Sequence, residues 1–361
     1  MYKPALTLAI ALALVAGCAT HPEPSPNWVI MPAPQLPIEP APEKPSLLPE
    51  LQLVPVPPPA PVPPAPLVRD GDWVSLNVWT AQNQLAAPRP LSSSPMETYA
   101  ITTPNGELVV QVGSIAATWN RVAVRLGFAP RIKGNQLWLN VLDVQKNLEP
   151  LARGGPPRPG PNRVIVLDPG HGGSNPGTRS AVDGRNEKDL TLDWAQRLAP
   201  LLEQQGWRVY LTRTNDVDVG LLDRVAFANA LNADLFVSLH FNASPASSEP
   251  AGVETYCLTP AGMVSSVTRN YSDDARQVYP NNTFDAENLQ YAVRLHRALL
   301  EIPGLTDRGV RRARYQTVLP GQNRPAVLIE GGYLSNPREA RRIADPQYRQ
   351  KLAEALAKAL E

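Results

Sequence analysis

Four side chains in the C-terminal half of this 361-residue chain have the types and placement to do chemistry. Three are delivered by short apolar runs, the pattern of buried strands. Val164 to Leu167 leads into Asp168-Pro-Gly-His171, Leu235 to Leu239 leads into His240-Phe-Asn242, and Ala326 to Ile329 runs directly into Glu330. The fourth, Glu187, opens a helix-patterned stretch just after the His171 loop. Two imidazoles and one carboxylate form the ligand set of a catalytic zinc whose fourth position stays open for water, and the remaining carboxylate can serve as base. Zinc brings the pKa of such a water to about 7 and polarises a carbonyl. In that chemistry Glu330 takes the water's proton and passes it to a departing nitrogen.

Each residue alone has a plainer explanation. A His at a strand end is commonly a satisfied structural group, and a Glu at a helix start is a favourable charge beside the helix dipole. The joint pattern carries the argument, because the chain has only four histidines. His21 falls in a Pro-rich stretch and His296 on a polar-flanked helix, so both read as incidental. A phosphate-binding reading of DPGHGGSNPG fails in detail. Asn175 stands where the third glycine should be, and the next strand closes on Thr212-Arg213 with no acidic residue.

The elements that must position these groups alternate strand and helix from Asn162 onward. Strands are expected at Arg163 to Leu167, Trp207 to Thr212, Ala233 to Leu239, Gly252 to Leu258 and Pro325 to Ile329. Helices are expected at Glu187 to Gln205, Leu221 to Asn232 and Ala286 to Glu301, and two more start at Asn336-Pro337 and Asp345-Pro346, with proline at the first helical position. This rhythm predicts an α/β domain over 162–361, an open, mostly parallel sheet with helices on both faces. In such sheets ligands bind outside the carboxyl ends of the strands, where His171, His240 and Glu330 would converge, with Glu187 on the same side.

Upstream, proline is the compositional outlier: 41 residues, about twice the usual share, with 18 of them between residues 21 and 70. Residues 18–68 therefore read as an extended tether, and at about 3.1 Å per residue it could reach on the order of 150 Å. Residues 1–17 carry one Lys, an apolar run from Ala5 to Ala16 and small residues, the layout of a secretory signal too short to span a bilayer. Its end, LVAGC, resembles a bacterial lipobox, which implies cleavage before Cys18, lipidation of that residue and a stable membrane anchor. Ala19 after it points to the outer membrane, facing the periplasm. Cys257, the only other cysteine, then has no disulfide partner and reads as a buried, inert thiol. A formal net charge of +1 argues against a nucleic-acid footprint.

Residues 69–150 read as a small α+β domain, and 151–161 as a linker rich in Gly and Pro. DWVSLNVW and ELVVQVG are expected as strands, Asn105-Gly106 as a hairpin turn, IAATWNRVAVRLGF as a helix and QLWLNVLDV as a final strand. The helix and last strand loosely resemble copper-amine-oxidase N-terminal-like domains, and that helix speaks against an all-β module. With no His and no Cys, this part reads as a spacer or wall-binding module.

VIVLDPGHGGSNPGT, NEKDLTL, LFVSLHFNAS, RGVRRARYQTVL and PAVLIEGGYLSNP, in this order over about 200 residues, resemble the successive motifs of the zinc-dependent N-acetylmuramoyl-L-alanine amidases of type 3. The resemblance implies His171, Glu187 and His240 as zinc ligands and Glu330 as catalytic acid/base. It implies hydrolysis of the amide between the lactyl group of N-acetylmuramic acid and the first L-alanine of the peptidoglycan stem peptide. Some members are silenced by an extra helix until an activator protein binds, and Ser244 to Thr306 reads as too short to hold one. Arg308, Arg311, Arg312 and Arg314 make a basic run, either a solvated edge or, together with Asn242, contacts for substrate carboxylates. The alternative to a hydrolase is a silent peptidoglycan-binding lipoprotein of the same fold. A zinc peptidase acting within the stem is a third reading.

Overall fold

A computed structural model describes residues 69–93, 96–154, 160, 162–268, 273–314 and 318–361. The expected signal, tether, Cys18 and His21 lie outside them, as does most of the expected linker. The described residues belong to one compact unit.

The N-terminal part holds two antiparallel sheets. Strands β1 (Arg69–Asp70), β2 (Trp73–Ser75), β8 (Arg131–Lys133) and β9 (Gln136–Asn140) form one, in the order β1-β2-β9-β8. The other runs in sequence through β3 (Arg89–Ser92), β4 (Thr98–Thr103), β5 (Gly106–Gln111), β6 (Ala116–Trp119) and β7 (Val122–Arg125). The helix expected over IAATWNRVAVRLGF is therefore the β6–β7 hairpin. Ala117, Trp119, Val122 and Val124 fit both a helical and a two-residue period, and the turn decides. Asn120 and Arg121 both adopt positive φ, 47° and 69°, as a two-residue hairpin loop of this kind requires. This removes the helix on which the copper-amine-oxidase resemblance and the argument against an all-β module rested.

Among the described residues the only full helix before the tail of this part is α1 (Leu76–Gln82), in a segment expected as strand; Ser75 caps it, its hydroxyl accepting from the Val78 amide. The expected last strand stops at Asn140, whose side chain caps a helical run: α2 (Val141–Asp143), a π-turn at Val144–Leu148 and α3 (Glu149–Arg153). This run passes the expected boundary at 150, with Leu151 and Ala152 buried.

The C-terminal part is the expected α/β layer structure. Its strands are β10 (Val164–Pro169), β11 (Arg208–Leu211), β12 (Leu235–Asn242), β13 (Val253–Cys257), β14 (Asp307–Arg312) and β15 (Ala326–Tyr333), ordered β11-β10-β12-β15-β13-β14. The first four in that order are parallel; β13 runs antiparallel to β15, and β14 parallel to β13. Helices are α4 (Glu187–Gln204), α5 (Leu221–Ala230), α6 (Asp285–Leu300), α7 (Pro337–Ala344) and α8 (Pro346–Ala359). Alternation along the strands splits the core. Ile165, Leu167, Val237 and Leu239 pack with α4, α6 and α8, whereas Val164, Val166 and Phe236 pack with Ala228 of α5 on the opposite face. Between Ser244 and Thr306 the helical elements among the described residues are α6 and a 3-10 turn at Pro280–Phe284.

Candidate metal centre

The loop after β10 is fixed from below before it can present a ligand. Asp168, wholly buried, accepts from Thr212 Oγ1, Ser238 Oγ and Arg224 Nη1 at 2.6–2.7 Å. Two buried arginines then tie down the loop carbonyls: Arg213 donates to Pro169 O and Gly170 O, and Arg224 to Pro169 O and His171 O. These bonds hold His171 at φ 62°, a left-handed backbone that a residue other than Gly adopts only when its surroundings fix it.

Glu187 is the first residue of α4 and is buried. Its Oε2 lies 3.1 Å from His171 Nε2 and accepts from Thr178 N at 3.0 Å. Its Oε1 lies 2.9 Å from His240 Nδ1 and accepts from Phe241 N at 3.1 Å. Gly177 is required here, because a Cβ on it would lie 2.6 Å from Glu187 Oε2. One ligand atom from each of His171, Glu187 and His240 falls within 4.8 Å of the others, and the imidazoles meet edge-on with centroids 4.9 Å apart.

His240 and Glu330 lie within β12 and β15 rather than just past them, directly paired across the two parallel strands. Pairing puts both side chains on one face, about 4.8 Å apart at the backbone. All four residues line one crevice of about 440 Å³ together with Asn175, Thr178 and Asn242. A second cleft shares His171, Asn175 and His240 and runs toward Val219, Leu221 and Val318.

The electrostatics suit a cation. Burial pushes Glu187 upward, but hydrogen bonds and charge from the two histidines outweigh it and hold the carboxylate well below its usual range, so it stays ionised. Burial likewise pulls His171 down, and Glu187 and Asn175 raise it above the usual imidazole value. The donor set fits zinc: two imidazoles and an ionised carboxylate, with one side open to the crevice. Asn175 Oδ1, 3.0 Å from His171 Nδ1, accepts that nitrogen's proton and leaves Nε2 to face the centre.

The N-acetylmuramoyl-L-alanine amidase family model, Amidase_3, matches residues 165–361, over half of the chain. The chain belongs to this family. It is 34% identical over 238 residues to N-acetylmuramoyl-L-alanine amidase AmiC of Escherichia coli, covering 59% of this chain and 56% of that protein. To the germination-specific N-acetylmuramoyl-L-alanine amidase of Bacillus subtilis it is 30% identical over 213 residues, covering 55% and 78%. Among solved structures, an N-acetylmuramoyl-L-alanine amidase from Clostridium difficile 630 is 31% identical, with 55% of this chain and 94% of that one aligned at a TM-score of 0.46. The chain spans about half, 56%, of the length of the two AmiC relatives it matches.

The remaining candidates separate within this amidase-family domain. Asn242 lines the crevice and donates through Nδ2 to Glu254 Oε2 at 3.0 Å. Arg308 and Arg311 reach the same Glu254, at 2.8 and 3.3 Å. Arg312 does not join them. It is buried and donates to Leu258 O, Lys146 O and Asn147 Oδ1, bonding β14 to the N-terminal part, which corrects its reading as a substrate contact. Arg314 is also buried, paired with Asp273 at 2.6 Å.

Sequence reasoning missed Glu254 and Asn175. Glu254 interrupts the apolar run GVETYCL just as Glu330 ends PAVLIE, so the signal was there. His296 is not incidental: wholly buried, it bridges Thr255 Oγ1 and Asp307 Oδ1 at 2.9 and 3.0 Å, and Asp307 in turn accepts from Ala123 N. Cys257 is free and buried.

Proposed function

We propose that this protein is a zinc-dependent N-acetylmuramoyl-L-alanine amidase acting on peptidoglycan, with His171, Glu187 and His240 as metal ligands and Glu330 as acid/base. The reading is supported chiefly by one observation: a two-His, one-carboxylate cluster with ligand atoms within 4.8 Å, and a second carboxylate paired in register with one of the ligands. Membership of the amidase family adds the bond, the amide between the muramoyl lactyl group and L-alanine.

The chemistry that zinc supplies at such a site is polarisation of the amide carbonyl and a water with a pKa near 7. Glu330, on the same sheet face as His240 and nearly buried, receives that water's proton and delivers it to the departing nitrogen. The fixed loop and Asn175 hold His171 in one tautomer and orientation, so the ligands need not reorganise. In this reading Cys18 carries a lipid anchor and the Pro-rich stretch lets the domain reach the wall from the outer membrane. The cell envelope is the compartment that fits such a substrate.

The test is digestion of purified sacculi with zinc, with chelator, and with Glu330→Ala. Release of peptides with a free L-alanine amino group, abolished by chelator and by the substitution, is the expected result. Sedimentation with sacculi and no release would replace the amidase by a silent wall-binding protein. Products that keep L-alanine on the sugar would make it a peptidase of the stem.

A further inference from the structure

A row of side chains crosses the sheet from the metal cluster to its edge. His240 on β12 pairs with Glu330 on β15, and Glu330 pairs with Glu254 on β13. A register shift between Val253 and Thr255 leaves Glu254 opposite the Arg308 region of β14. Paired residues point to one face, so the row is continuous from the crevice outward.

Glu254 is not available to substrate. It is 2% exposed, and its two oxygens accept from Asn242 Nδ2, Tyr256 OH, Tyr333 OH, Arg308 and Arg311. It works as an anchor for arginines. Of the four arginines in this stretch, Arg312 and Arg314 are buried and bonded elsewhere, and the Arg311 side chain is 15% exposed. Arg308 differs. Its side chain is 31% exposed, held by Nε to Glu254 at 2.8 Å and seated over the Tyr333 ring at 5.0 Å. A guanidinium fixed through Nε and one face presents its Nη edge outward, the geometry that takes a carboxylate with two parallel hydrogen bonds.

We infer that Arg308 is the subsite for a substrate carboxylate, carried on the peptide about three residues from the scissile amide. Three strand spacings separate β12 from β14, about 14 Å at the backbone, and the Arg308 side chain leans back toward β13. An extended peptide advances about 3.5 Å per residue, so three residues cover about 10.5 Å and the Arg308 side chain, which reaches back to Glu254 on β13, covers the rest. The peptide therefore runs over β15 and β13 toward β14, and the sugar lies on the opposite side, toward the cleft of Val219 and Leu221. The assignment rests on the proposed amidase reading and adds its direction and its charge requirement.

The test uses free stem peptides, which have no muramoyl bond to cut, so binding is read without hydrolysis. Their third residue carries its side-chain acid as carboxylate or as carboxamide, and each is titrated calorimetrically into the full chain supplied with zinc. The parent protein is expected to bind the carboxylate about tenfold or more tightly than the carboxamide. Arg308→Gln brings that ratio to within about twofold, and Arg308→Lys, a point charge without the fork, keeps part of it. Equal affinities for the two peptides in the parent, or a ratio unchanged in Arg308→Gln, would overturn the inference, as would discrimination at the second residue only. If the ratio follows Arg308 while sacculi release no peptide, the binding direction stands and the hydrolase reading falls.

Discussion

The proposed metal cluster depends on a glycine that belongs to none of its candidate ligands. Gly170 ends the turn out of β10, and a Cβ built on it would lie 2.2 Å from His240 Cε1 and 2.5 Å from both ring nitrogens. Ordinary contact begins at 3.4 Å, so Gly170→Ala demands a relative movement of about 3.4 − 2.2 = 1.2 Å. The backbone cannot supply it: Gly170 N donates to Leu239 O at 3.0 Å, and Gly170 O accepts from Thr191 Oγ1 and Arg213 Nη2 at 3.0 and 2.8 Å. The His240 ring, 19% exposed, swings toward the crevice instead. Metal–ligand distances tolerate about 0.2 Å, so a shift of about six times that removes His240 as a ligand. Losing its outer-shell support alone would weaken binding about 10- to 100-fold. Displacing the ligand should therefore cost at least about 100-fold in zinc affinity, about 2.7 kcal/mol. Overpacking costs the fold about 1–3 kcal/mol besides. Chelator competition on Gly170→Ala and parent reads the first quantity, and thermal melts of both in EDTA read the second. A variant that holds zinc within about threefold of the parent would refute the argument, because His240 would then have kept its place beside a methyl group with no room for it.

Two more outcomes follow from hydrogen bonds at the site. Asn175→Ala removes the acceptor at His171 Nδ1 and should weaken zinc about 10- to 100-fold in the same competition assay, whereas Asn175→Asp, which keeps an acceptor there, should lose far less. Burial pushes Glu254 upward, but Tyr256, Arg311 and Arg308 hold it below its ordinary 4.5. Its contribution to stability is thus fully present above about pH 4.5 and is lost as pH falls through the lower folded value. Glu254→Gln should lose about 3–5 kcal/mol near pH 7, and its melting temperature should approach the parent's as both are acidified toward pH 3. A gap that stays constant from pH 7 to pH 3 would mean that Glu254 acts by shape and not by charge.

The α/β part was legible because its signals are local and redundant. Asn336 and Asp345 each cap a helix with proline in the first turn, and the structure has both helices where those dipeptides placed them. The apolar runs ending in His171, His240 and Glu330 are the neighbouring strands β10, β12 and β15, so the three side chains meet at the carboxyl edge of a parallel sheet. What failed in the N-terminal part was a choice between two periods that the same residues satisfy. In ATWNRVAV the buried set of Ala117, Trp119, Val122 and Val124 repeats every two residues on each side of a turn, and the break in phase at Asn120-Arg121 mimics a helical stripe. A pair of residues at positive φ resolves it, and a side chain pattern alone does not encode that.

The edge strand β14 was hidden for a related reason. RGVRR carries too much charge to read as a strand, yet its arginines are anchored: Arg312 on carbonyls of the N-terminal part, Arg311 and, through Nε, Arg308 on Glu254. Such a strand is specified by partners distant in sequence, 54 residues away for Glu254 and 166 for Lys146, and no window along the chain contains them. The same holds for His296, whose burial among Thr255 and Asp307 is decided by the pairing of β13 with β14. A site residue is readable from sequence when its own strand or helix aims it. It becomes unreadable when its role is to be held by another charge, and here that boundary separates Glu330 from Arg308.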